Sequence, residues 1–317
     1  MRASRQSSIT GCHGDRYRAN KLIDAARSGD LELMCSLLSS GVPVNTRDEE
    51  DRTALLWACA EGKTDAVKIL VGAGANINRA SRHGSTPLIE ASLWGHENIV
   101  KLLLQSGADV ETREELLGGT ALMFACLAGH LKIAKELLDH GAAIEARDKD
   151  RRTPLLEASF GGYSELVKML LSRGADVNCR NVHGTTALIA AAIAGQPQLV
   201  ELLLDRGADA NAGNKYGKTP LMEASLSGCC KTVEILLARG ARATAADNDG
   251  KTALMLAALS DHQEVVRTLL RYGADVNQKD KAGNTAVTEA VKFGRKDLVK
   301  QLLANLPEDS STCDSAA

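Results

Sequence analysis

Aromatic side chains are nearly missing from this 317-residue chain: two Trp, three Phe and four Tyr make up 3% of it. Apolar residues reach 44%, and Ala, Leu and Gly dominate. The chain can therefore bury a core, but in thin layers of small side chains rather than one thick centre. An excess of one charge is missing too, with 38 Lys and Arg against 40 Asp and Glu for a net −2. Domains whose main task is neutralising phosphates carry a strong basic excess, so that class is disfavoured. The eight cysteines, Cys12, Cys35, Cys59, Cys126, Cys179, Cys229, Cys230 and Cys313, are irregularly spaced, with no Cys-x-x-Cys. No N-x-S/T sequon occurs either. Free thiols in a reducing compartment are expected. No apolar run approaches a membrane span, so no membrane insertion is expected. The first twenty residues are basic without an apolar segment, so no secretory signal is expected there, and residues 1–19 are expected to be a disordered leader. Residues 307–317, PEDSSTCDSAA, are expected to be a disordered tail.

What is present is repetition. A Thr followed by Ala or Pro recurs at Thr53, Thr86, Thr120, Thr153, Thr186, Thr219, Thr252 and Thr285, at intervals of 33 residues with one of 34. A second mark runs in phase: Gly41, Gly74, Gly107, Gly141, Gly174, Gly207, Gly240 and Gly273. Each Thr predicts a helix N-cap, with Pro tolerated in the first turn at Pro87, Pro154 and Pro220. A short helix ends near Gly95, Gly129, Gly162 or Gly195. The second helix carries apolar pairs one turn apart, such as Ile99, Val100, Leu103 and Leu104. The following Gly reads as its C-cap. One such unit cannot bury its own stripe, whereas stacking buries it against both neighbours.

Thr86-Pro87-Leu88-Ile89-Glu90-Ala91 and the Gly-Ala-Asp-Val-Asn runs at 174–178 and 273–277 resemble the ankyrin repeat. The resemblance implies an all-α solenoid of helix-turn-helix units joined by β-hairpin-like loops over residues 20–306. Its parts are an N-terminal cap at 20–51, seven full repeats at 52–283 and a C-terminal cap at 284–306. One departure is consistent. The His usual after T-P-L is replaced by Leu56, Ile89, Met123, Leu156, Ile189, Met222, Met255 and Thr288.

Aligned on Thr, the fourth residue after it reads Trp57, Glu90, Phe124, Glu157, Ala190, Glu223, Leu256, Glu289, an apolar–Glu alternation. The next position is Ala in all eight cases, from Ala58 to Ala290, which marks a close packing contact. On a helix the fourth position shares a face with the seventh and eighth. The resemblance places that face in a concave groove, together with the hairpin tips. Every Trp and Phe falls on these positions: Trp57, Trp94, Phe124, Phe160 and Phe293. The seventh position is apolar in six successive repeats, as Leu93, Leu127, Phe160, Ile193, Leu226 and Leu259. One hairpin holds an extra residue and reads Glu114-Glu115-Leu116-Leu117-Gly118-Gly119; Tyr216 occupies another tip. Aromatic side chains on a groove are the usual anchors of an interface. The candidate partner-binding set is Trp57, Glu61, Glu90, Leu93, Trp94, Leu116, Leu117, Phe124, Leu127, Glu157, Phe160, Ile193, Tyr216, Glu223 and Leu226.

Apparent chemistry dissolves on inspection. Lys215-Tyr216-Gly217-Lys218-Thr219 lacks the leading Gly of a phosphate loop, having Ala212 there, and its Thr is the repeated cap. Asp247 to Gly250 imitates part of a calcium loop whose first and last ligands would be Ala245 and Leu256. His96, His130 and His262 share one turn position at least a repeat apart, where a capping or turn role suffices. No catalytic residue, cofactor or metal is expected. The expected function is a protein-interaction scaffold or adaptor, acting as a monomer, that grips a segment bearing apolar and basic residues. The alternative is a nucleotide- or nucleic-acid-binding array. That alternative needs Lys or Arg beside the groove aromatics, and the groove offers Glu instead, apart from Lys292 beside Phe293. The resemblance also implies a cytoplasmic chain, and apolar seventh positions resemble a nuclear-import code.

Overall fold

In a computed structural model, residues 7–305 are described, with side chains from Arg16 onward. They divide after Ala175 into two compact units. The first holds α1 (Ser7–Ser28), α2 (Leu31–Ser39), α3 (Ala54–Ala60), α4 (Thr64–Gly72), α5 (Pro87–Leu93), α6 (Glu97–Gln105), α7 (Ala121–Leu127), α8 (Leu131–Asp139), α9 (Pro154–Phe160) and α10 (Ser164–Ser172). The second holds α11 (Ala187–Ile193), α12 (Pro197–Asp205), α13 (Pro220–Leu226), α14 (Cys230–Ala238), α15 (Ala253–Leu259), α16 (Gln263–Arg271), α17 (Ala286–Lys292) and α18 (Lys296–Leu303). No strand occurs among the described residues. Extended pairing is limited to isolated bridges at Arg47–Thr53 and Ala246–Thr252.

In the first unit the odd-numbered helices pack in a row from α1 to α9, and the even-numbered ones in a second row. The second unit repeats this with α11, α13, α15 and α17. The Thr mark explains each first helix. Thr86 sits in extended backbone (φ −101°, ψ 163°) and its Oγ1 accepts from the Ile89 N–H at 3.3 Å. Thr53, Thr153, Thr186, Thr219, Thr252 and Thr285 do the same. Thr120, which follows the lengthened hairpin, is the exception: its Oγ1 is buried without a partner. Ala58, Ala91, Ala125 and Ala158 are wholly buried, which leaves no space for a larger side chain. The Gly mark closes the second helices. Gly107 adopts φ +88°, donates to Leu104, and lets Ala108 N–H reach back to Leu103 O at 2.9 Å.

The turn within each helix pair shows why His recurs there. The second helices have no side-chain cap at His96, His130 or His262. Instead each imidazole Nε2 lies 3.0–3.1 Å from a carbonyl of the preceding repeat, on Ala60, Leu93 and Leu226. The ring covers the preceding turn glycine so closely that a Cβ on Gly95 would lie 2.6 Å from His130. These histidines thus tie repeats together rather than cap their own helices. Asn does similar work at the other end: Asn45 Oδ1 accepts from Asn76 N–H, and Asn78 Oδ1 from Asp109 N–H.

The N-terminus differs from expectation. Residues 7–19, expected as part of a disordered leader, continue α1. Leu22, Ile23, Ala25 and Ala26 are buried and pack α1 against α3, which nucleates the helix. Once nucleated, a helix extends at one hydrogen bond per residue fixed, and no Pro interrupts 7–28. Residues 1–6, the tail at 307–317 and Cys313 lie outside the described residues.

Candidate protein-binding surface

The expected binding face lies on the first helices, so its geometry in the first unit is set by the row α3, α5, α7, α9. Trp57, near the middle of α3, is half-buried. Arg27 of α1 lies 4.3 Å from its ring centroid and Arg52 lies 4.8 Å away. The indole N–H donates to Asp48 Oδ2 at 2.8 Å. Arg27 Nε in turn donates to Glu61 Oε1 at 3.1 Å. Trp57 and Glu61 are therefore engaged by the chain itself.

One repeat on, Glu90 accepts from Ser85 Oγ at 2.7 Å and from the Trp94 indole N–H at 3.2 Å. Trp94 is 60% exposed, and Leu93 beside it is half-buried. In the next repeat Phe124 is half-buried against Gly119, where a Cβ would lie 2.9 Å from its ring, while Leu127 is exposed. The next brings Glu157, which is only 5% exposed and hydrogen-bonded by Arg152 at 3.4 Å, and the exposed Phe160. Burial pushes the Glu157 carboxyl above the ordinary carboxylate range, and the Arg152 guanidinium pulls the other way. Burial also raises the thiols of Cys59 and Cys126, with a smaller push from Glu90 and Glu157 respectively. Cys35, Cys59, Cys126, Cys229 and Cys230 are free thiols.

The arrangement sorts the expected residues. Trp94, Leu127 and Phe160 stand at the C-terminal ends of three consecutive neighbouring helices and form one exposed apolar row. Two exposed side chains beside this row were missed in the sequence reading: Leu131, the first residue of α8, and Tyr163, which precedes α10. The Tyr163 ring lies over Gly129, as His130 lies over Gly95. The signal was available, because Tyr163 takes the register of His96 and His130 with an apolar ring.

The leucine tip is separate. Leu116 and Leu117 are 65% and 53% exposed. They precede the N-terminus of α7, whereas Leu127 closes its C-terminus, a helix of seven residues or about 10 Å. The extra residue is accommodated by Glu114, whose carboxylate accepts from the backbone N–H groups of Leu116, Leu117 and Gly119. Elsewhere a shorter Asp or Asn does this, as Asp48 does for Glu50 and Arg52.

In the second unit Ile193 is exposed, Glu223 and Leu226 are half-buried, and Tyr216 is exposed with Lys215 Nζ 5.0 Å from its ring. Phe293 is exposed beside Lys292, while Ala190, Leu256 and Glu289 are buried. Among the described residues no helix is long and apolar enough to cross a membrane. No group of three or more His, Cys, Asp or Glu side chains among them could hold a metal.

The model of the family described as ankyrin repeats (3 copies) matches residues 22–114, 111–181, 176–247 and 241–312. No curated protein matches the chain.

Proposed function

We propose, on the premise that this chain belongs to the ankyrin-repeat family, that it is a protein-binding scaffold whose first unit grips a partner segment along α5, α7 and α9. The exposed row Trp94, Leu127 and Phe160 carries this reading. Large apolar side chains left open at the same end of three neighbouring helices contribute little to the stack. Each gains roughly 1.5–3 kcal/mol when a partner covers it. The segment is one with apolar anchors and interspersed basic residues, and the chain acts as a monomeric adaptor in the cytoplasm and nucleus without chemistry of its own. The rival, nucleotide clasping, needs an open aromatic flanked by available cations. Trp57 has the cations, but Arg27 is neutralised by Glu61 and the indole is half-buried.

The test is selection of peptides from a random displayed library on the full chain, followed by titration against Trp94→Ala and Leu127→Ser with Phe160→Ser. Both variants should keep the helical circular dichroism of the parent and lose about tenfold or more in affinity, as buried interface anchors do. Equal binding by the parent and both variants would place the partner elsewhere.

A further inference from the structure

We infer that the Glu90–Trp94 pair is a receptor for an arginine side chain of the partner segment. The inference rests on the docking face proposed above and names what that face reads. Its basis is a comparison the molecule makes with itself. On α3, Trp57 and Glu61 lie four residues apart, and Arg27 from the preceding helix meets both, stacking 4.3 Å from the ring and donating to the carboxylate at 3.1 Å. On α5 the same two groups lie four residues apart in the opposite order, as Glu90 and Trp94. The preceding repeat carries Ala60 in the register of Arg27, and the residue before Thr86 is Ser85, in the register of Arg52.

The consequence is electrostatic. Of the three carboxylates on this face, Glu61 has Arg27 and Glu157 has Arg152. Glu90 has only two neutral donors, and no Lys, Arg or His nitrogen among the described residues forms an ion pair with it. Its charge is felt locally, since it adds to the upward shift of the Cys59 thiol. Trp94 meanwhile presents its ring at 60% exposure, and its own N–H orients it against Glu90. An indole face beside an uncompensated carboxylate attracts a cation through the ring quadrupole and the ion pair together. A guanidinium satisfies both better than an ammonium. It is planar, stacks on the ring, and still directs its edge N–H groups at the carboxylate, as Arg27 does. Leu127, one helix along, supplies an apolar neighbour, so the expected ligand has an arginine a few residues from a large apolar side chain.

The peptides selected on the parent chain provide the experiment. They should share an arginine position, and replacing it with lysine should weaken binding about threefold and with citrulline about tenfold or more. Glu90→Gln should produce a loss similar to that of citrulline, whereas Glu61→Gln should leave affinity within about twofold, its carboxylate being already engaged. Ala60→Arg supplies the missing cation from within the chain and should block the arginine peptides. Its folding is checked by circular dichroism, and the peptide substitutions on the unaltered parent need no variant to fold. Selected peptides without a shared arginine, or indifference to both citrulline and Glu90→Gln, would overturn the arginine receptor. If Trp94→Ala still weakened those peptides, the docking face would survive. Peptides indifferent to Trp94, Leu127 and Phe160 would remove both.

Discussion

From α3 to the end of α9 the first helices and their caps carry Trp57, Trp94, Phe124 and Phe160; from α11 to α17 they carry Phe293 alone. The fourth positions that hold half-buried Trp57 and Phe124 in the first unit hold buried Ala190 and Leu256 in the second. Yet the stack is built alike in both. Threonine caps, wholly buried alanines and His-to-carbonyl ties recur without regard to which side chains cover the face. The stack and the proposed binding face therefore draw on largely different positions of one helix. Positions one, two, three and five after Thr hold the stack, while position four ranges from buried to half-buried and positions seven and eight vary most in side chain. In the second unit those positions carry mainly aliphatic, alanine and glutamate side chains in place of most of the rings.

That separation can be broken most severely by attacking the shared positions. Leu122→Ala in α7 and Leu221→Ala in α13 replace equivalent, almost fully buried side chains. Each should cost about 2–5 kcal/mol in denaturant unfolding, with the loss of amide protection greatest in the mutated helix and its neighbours. Similar losses at the two sites would support equivalence of the stacks; a cost confined to one would refute it. The caps offer a smaller and sharper contrast. Thr86→Val should cost about 1 kcal/mol by deleting the bond to Ile89, while Thr120→Val should be neutral or stabilising, because its buried hydroxyl has no partner to lose.

The carboxylate of Glu157 divides the face itself. Its folded-state pKa is raised, so protonation is easier in the folded chain than in the unfolded one. Its contribution to stability is fully present below the ordinary carboxylate value and is lost as pH rises through the raised value. The parent should therefore gain on Glu157→Gln as the solution is acidified, read by urea titrations at several pH values; a constant difference would contradict the buried assignment. The smallest stability effect belongs to Leu116→Ser with Leu117→Ser. Both side chains are exposed, so the melting temperature should hold to within about 0.5 kcal/mol of stability. A large fall would show the tip to be packed.

The repeat, its helix boundaries and its buried stripe were legible because each depends on residues within one 33-residue unit. The state of the face was not. Trp57 and Trp94 were both read as anchors, but Trp57 sits within α3 under Arg27, thirty residues earlier, whereas Trp94 caps the end of α5 with Ala60 in the register of that arginine. Glu157 was expected in the partner-binding set and is enclosed with Arg152 from its own hairpin. The helical start of α1 at Ser7 escaped for a related reason: a stretch without apolar periodicity continues a helix that packing nucleates further along.

The hairpin tips of the first unit are joined by backbone bonds that step along the chain, from Arg82 N–H to Glu50 O, from Glu115 N–H to His83 O and from Lys149 N–H to Leu117 O. Every such bond spans roughly one repeat, so donor and acceptor stay in phase only if the chain lengthens by whole units. Duplication of an entire repeat preserves every partner, whereas gain or loss of a single residue shifts the register of the next tip. The 34-residue interval before Thr120 records the one departure along this array, and it persists with a longer acidic side chain, Glu114, gathering the added backbone donors.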